Sequence, residues 1–223
     1  MIEVFETQQK LIEKAAQDFE ATANELLEAK SGIRVLLTGG TLGIEFIRAM
    51  GSLDLDYSRV WMMFSDERFV KLDHFDRNEW QGIQAWPNLA KYLTRYPDTD
   101  QPLESARIQF ETELKPVFAD GLGFDITILG MGPDGHVASL FPGHQAPGDW
   151  IIAEPDSPKP PPERLSLSYR ALALSKRVWF LAAGDSKAEA VNFALNTDSV
   201  PASRVRGSEE TRWYVDKALS DAL

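Results

Sequence analysis

The chain has 223 residues, no cysteine and a formal net charge of −11. The missing cysteine excludes disulfides and thiolate chemistry, and the acidic balance, with no dense run of Lys and Arg, argues against nucleic acid or anionic membrane as a partner. No apolar run approaches the roughly 18 residues of a membrane span, and residues 1–10 lack the basic-then-apolar pattern of a signal peptide, so cytoplasm is the expected location.

One α/β domain covering residues 1–223 is expected from this length. Leu11, Ile12, Ala15, Ala16, Phe19, Ala23, Leu26 and Leu27 recur at helical spacing, which predicts an amphipathic helix over about 7–29, stopped by Ser31-Gly32. Residues 33–37 read as a buried strand running into Thr38-Gly39-Gly40-Thr41, with a helix over 42–50. A second strand at 59–64 ends at Ser65-Asp66-Glu67-Arg68. A polar stretch follows, with a helix near 87–95, then strands at 106–110 and 124–129. The last of these breaks at Gly130-Met131-Gly132-Pro133-Asp134-Gly135-His136, where a helix or helical turn is expected to start. The prolines of 157–162 predict an extended surface loop bordering the site. Strands at 164–169, 178–183 and 213–215, and helices at 186–195 and 216–223, complete the pattern.

Strands alternating with helices imply a mainly parallel sheet flanked by helices, with ligands bound beyond the carboxyl ends of the strands. Four polar segments sit at such ends: 38–41, 65–68, 130–136 and 184–187. Their convergence on one crevice is the expectation that organises the rest.

Gly39, Gly40 and Thr41 let the backbone approach a ligand and open a helix whose N–H groups suit an anion. A tight βα turn would need the same glycines, and the lysine of a P-loop is absent. Asp66 and Arg68 either belong to a solvated charged turn or hold sugar hydroxyls and polarise a reacting oxygen. His136 lies at or just inside the expected helix start. It can take and return a proton near neutral pH, with Asp134 placed to orient the ring. A lone loop histidine is as often structural. His74 and His144 read as solvated, and three histidines at no regular spacing predict no metal site. Lys187 opens a helix, where a lysine opposes the macrodipole unless it serves an anion. Arg164, past the prolines, reaches the same anion or forms a surface ion pair.

LLTGGT at 36–41, FSDERFV at 64–70, LGMGPDGHVASLFPGH at 129–144, ERLSLSY at 163–169, GDSKAEAV at 184–191 and PASRVR at 201–206 together resemble the 6-phosphogluconolactonase family. The resemblance implies a ribose-5-phosphate-isomerase/glucosamine-6-phosphate-deaminase-like α/β fold. It also implies a metal-independent hydrolase without cofactor, opening 6-phospho-D-glucono-1,5-lactone to 6-phosphogluconate in the oxidative pentose phosphate pathway. The related deaminases typically follow the GHxA-type segment with Asn-Glu-Pro and carry Asp-Glu-Tyr at the second strand end. This chain has Ser139-Leu140-Phe141-Pro142 and Asp66-Glu67-Arg68 there. It departs from the lactonase pattern at Lys71 and at Arg77-Asn78, where the family usually has a proline and a serine before the asparagine. Arg77 either adds a cation near the site or decorates a loop.

The expected mechanism has neutral His136 taking a proton from water and returning it to the leaving ring oxygen. N–H groups of the 130–135 turn, or Arg68, hold the oxyanion. The phosphate sits on Gly39, Gly40 and Thr41, with charge from Lys187 and Arg164. The competing readings are a glucosamine-6-phosphate deaminase-like isomerase and a non-catalytic sugar-phosphate sensor, the latter disfavoured because no output domain or basic face is evident. A monomer is expected.

Overall fold

The computed structural model describes residues 1–144 and 149–223. An edge strand, β1 (Ile2–Phe5), precedes the first long helix, α1 (Gln8–Ala29). Thr7 caps that helix by accepting the Lys10 N–H at 3.2 Å, and the predicted apolar stripe is the face it buries. Next come β2 (Ile33–Leu37), α2 (Gly40–Met50), β3 (Val60–Phe64) and the short β4 (Asp66–Arg68). The middle of the chain holds α3 (Asn78–Ala85), α4 (Leu103–Ala119) and β5 (Phe124–Gly130). After these come β6 (Ile151–Glu154), β7 (Arg164–Leu167), α5 (Tyr169–Leu172) and β8 (Ser175–Ala182). The chain ends with α6 (Ala188–Asn196), β9 (Glu210–Asp216) and α7 (Lys217–Ser220).

Six strands form one all-parallel sheet in the order β1-β9-β8-β5-β2-β3. Its central strands are apolar on both faces, as a sheet covered by helices on both sides requires. From β2 the chain crosses to β3 on one side, then returns to β5 on the other. That reversal is a topological switch point, and it opens a crevice beyond the carboxyl ends of β2 and β5. The Thr38 hydroxyl ties the two ends together by accepting the Gly130 N–H at 3.2 Å.

A second sheet, β4-β7-β6, is antiparallel. Ser65 passes the chain from one sheet to the other. Its N–H donates to the Leu37 carbonyl of β2 at 2.8 Å, and its carbonyl accepts the Leu167 N–H of β7 at 2.9 Å. The segment 65–68, expected as a turn, is therefore a strand stop and a new strand.

Four other expectations change. Residues 106–110 are helical, not a strand: Leu103, Ala106, Phe110, Leu114 and Phe118 form one buried helical stripe, and a five-residue window is too short to show its period. Residues 87–95 supply only a short 3₁₀ turn, Pro87–Lys91, while α3 lies in the stretch that reads as merely polar. No helix starts at His136. Gly135 and Ala138 adopt φ of +80° and +49°, which breaks any right-handed helical path. Lys187 closes a 3₁₀ turn, Asp185–Lys187, ahead of α6.

Arg77 also departs from both sequence-based alternatives, because it is wholly buried. Its guanidinium donates to the carbonyls of Val70, Pro97 and Tyr96 at 3.0–3.2 Å and to Glu79 at 3.1 Å, with Nε 3.6 Å from Glu67. Glu67 in turn accepts the N–H groups of Asn78 and Glu79 at 2.7 and 2.8 Å, closing the N-terminus of α3 from a distance. Burial, and then the Glu79 charge, push the Glu67 carboxyl up, to about 8, against the pull of Arg77 and these N–H groups. Taking one charge from such a cluster strands the others. Arg77→Met should cost about 3–5 kcal/mol of stability, read as a lower urea midpoint. A cost under about 1 kcal/mol would show that the cluster does not hold α3 to β4.

Candidate active site

The crevice at the switch point is a cavity of about 510 Å³, a volume suited to a small polar metabolite. Its floor is the β2–α2 turn. Gly40 has φ of +76°, and a Cβ on Gly39 would lie 1.9 Å from the Asn78 side-chain oxygen, so only glycine fits either position without rearrangement. No side chain caps the start of α2, which leaves its first N–H groups available to an anion.

The β5 turn supplies one wall. A Cβ on Gly132 would fall 2.1 Å from the His136 ring and 2.5 Å from the Asp134 carboxylate. The glycine therefore lets the imidazole lie directly against the backbone. His136 Nδ1 meets Asp134 Oδ1 at 2.5 Å, which leaves Nε2 for the cavity that the ring lines. Phe141 packs against the same ring with centroids 4.8 Å apart. Burial pushes the His136 imidazole down from its ordinary value, the Asp134 carboxylate resists, and Lys159 pushes it down further. Burial alone would raise Asp134, but its bond to His136 prevails and holds the carboxyl below the usual range. The pair is poised as a neutral imidazole backed by a carboxylate.

The second sheet supplies the opposite charges. Side chains alternate along a strand, so Asp66 and Arg68 of β4 share the cavity face while Glu67 turns to the α3 cluster. Asp66 is nearly buried and accepts the Ser139 hydroxyl at 2.6 Å. Arg68 donates through Nη1 to the Asp76 carbonyl, and its buried Nε has no partner among the described residues. Arg164 of β7 pairs in register with Arg68 and lies 4.0 Å from Asp66. Its Nε and Nη2 donate to the Pro161 and Lys159 carbonyls at 3.1 and 2.9 Å. Burial, and then the Lys159 charge, push the Lys187 ammonium down.

Of the residues singled out from the sequence, Gly39, Gly40, Thr41, Asp66, Arg68, His136, Arg164 and Lys187 line this one cavity, and Asp134 contacts it through His136. Asn78, Phe141 and Lys159 line it as well. Asn78 is the first residue of an unforeseen helix, and Lys159 sits in the proline run, whose place at the site rather than its lysine was legible. His74 and His144 lie apart from the cavity, each half-exposed beside a carboxylate, Asp76 and Glu154. Among the described residues no group of three or more His, Asp or Glu side chains is arranged to hold a metal ion.

The sequence model of the family described as glucosamine-6-phosphate isomerases/6-phosphogluconolactonase matches residues 6–213. A 6-phosphogluconolactonase of Mycobacterium leprae is 32% identical over 238 aligned positions, covering 97% of this chain and 95% of that protein. The crystal structure of 6-phosphogluconolactonase from Thermotoga maritima superposes with a TM-score of 0.87 at 31% identity, covering 97% of this chain and 99% of that one. A monomeric glucosamine-6-phosphate deaminase shares the fold, with a TM-score of 0.83 at 20% identity, over 100% of this chain and 99% of that one. The parallel sheet, the glycine turns at its switch point and these matches agree: the chain belongs to the glucosamine-6-phosphate isomerase/6-phosphogluconolactonase family.

Proposed function

We propose that this chain hydrolyses 6-phospho-D-glucono-1,5-lactone to 6-phosphogluconate, with His136 as the general base. One observation carries the reading: the Asp134-backed imidazole opens on the same cavity as the α2 N-terminus and Lys187. The names of the relatives at 30% identity and above support the substrate.

Neutral His136 takes the proton of a water as its oxygen attacks C1 of the lactone. Asp134 stabilises the imidazolium, which then gives the proton to the ring oxygen as the C1–O bond breaks. The developing oxyanion goes to Arg68. The N–H groups of Gly130, Gly132 and Gly135 already donate to Thr38, the His136 carbonyl and the Gly132 carbonyl, whereas the Arg68 guanidinium lines the cavity and has donors beyond the one that bonds to the Asp76 carbonyl. Ser139 is not a nucleophile in this scheme, since its buried hydroxyl donates to Asp66. The phosphate rests on Gly39, Gly40 and Thr41 with Lys187 alongside.

His136→Ala should lower kcat by roughly 10²–10⁴ with little change in KM, and Lys187→Met should mainly raise KM, in a coupled assay on freshly generated lactone. Near-normal turnover by His136→Ala would refute the role of the imidazole. Ammonia release from glucosamine 6-phosphate by the wild type would replace the reaction altogether.

The pH profile gives a second check. The working form of His136 is deprotonated, so kcat/KM should be full above its lowered pKa and fall only as pH drops below the ordinary histidine range near 6.5. Asp134 opposes that lowering. Asp134→Asn should therefore move the acid limb to still lower pH while reducing the plateau. A limb that moves up instead would show that the carboxylate does not act through the ring.

A further inference from the structure

The segment between β6 and β7 borders the cavity, which Lys159 and Pro160 line. Polar bonds hold its path. The Ser157 hydroxyl donates to the Lys159 carbonyl at 3.1 Å and accepts the Lys159 N–H at 3.3 Å. Ser157 N–H donates to the Pro162 carbonyl at 2.9 Å. Arg164 grips both the Lys159 and Pro161 carbonyls. Arg164 is 6% exposed and Ser157 7%, while Lys159 itself is exposed. Two nearly buried side chains thus present one accessible lysine over the cavity. Among the described residues, the ammonium groups of Lys159 and Lys187 have no hydrogen-bond or ion-pair partner, and each lines the same space. They are close enough that the charge of Lys159 is felt by both Lys187 and His136. Like charges facing one cavity repel, at Lys187 against the pull of Asp216, and an anion lying between the two ammonium groups offsets that repulsion.

We propose that Lys159 is a second cation of the phosphate subsite, beside Lys187, and that Arg164 is the positioning residue that holds it there. This rests on the sugar-phosphate reading above, and it adds a second part to that expected of Arg164, whose Nε and Nη2 hold the strap while Nη1 faces Asp66. Charge-assisted bonds to phosphate are worth about 1.5–3 kcal/mol, or tenfold and upwards in affinity.

The test is calorimetric titration of the full chain with 6-phosphogluconate and with inorganic phosphate. Lys159→Gln should weaken both by roughly tenfold or more, and Lys159→Arg should stay within about threefold of wild type. Arg164→Lys keeps the charge but loses the two-carbonyl grip. It should weaken both ligands alone and add little in the Lys159→Gln background, a coupling that a merely structural loss would not show. Ser157→Ala, which frees the same strap, serves if Arg164→Lys does not fold. Unchanged affinity in Lys159→Gln, loss for 6-phosphogluconate but not phosphate, or fully additive losses would each overturn the assignment, as would a wild type that binds neither probe. A wild type that binds 6-phosphogluconate but leaves lactone decay at its spontaneous rate would overturn the hydrolase reading alone.

Discussion

Everything at this site depends on the divergence of two neighbouring parallel strands. β2 and β5 lie side by side, but the chain leaves them toward opposite edges of the sheet, so the two connections part and leave a crevice beyond the strand ends. The Thr38–Gly130 bond holds the two ends together at the bottom of that space. One strand contributes the uncapped start of α2, the other the turn that carries His136. The uncapped helix start and the imidazole are thereby placed on two walls of one cavity by backbone topology, before any side chain is chosen.

The second sheet adds what the parallel one lacks. A parallel sheet sends its carboxyl ends into the crevice but offers few charged groups there, because the carboxyl-terminal halves of its central strands carry none. β4 and β7 run antiparallel across the side of the cavity and set Asp66, Arg68 and Arg164 facing it. Alternation divides the labour within three residues. Asp66 and Arg68 serve the cavity, and Glu67 between them anchors α3 through its backbone N–H groups. The net charge of −11 is thus no obstacle to an anionic substrate, because the local field is set by the cations and N–H groups around the crevice.

What was legible in the sequence follows from how local each signal is. The stripe of α1 and the apolar runs of β2, β3 and β5 carry their own period, and the structure places those elements within a residue or two of expectation. The glycine turns were legible because they interrupt such runs. β4 was not, since Asp66-Glu67-Arg68 has no strand pattern and becomes one only by pairing with β7, about a hundred residues later. β1 is equally dependent on its partner β9. The expected helix at His136 failed because the apolar residues after it look continuous, while Ala138 is held at positive φ by the surrounding turn. Lys159 could be placed only by knowing that Arg164 reaches back to its carbonyl, and the burial of Arg77 only by knowing which carboxylates surround it.

The junction at Ser65 has a further consequence. A single residue bonds to β2 on one side and β7 on the other, and it joins a sheet packed on both faces to a smaller one rich in ionic contacts. The two need not melt as a unit. Heating that loosens the smaller sheet would scatter the charged wall while the parallel framework still gives a native spectrum, so inactivation would precede visible unfolding. The durability of catalysis in this chain is then a property of its smaller layer, not of its core.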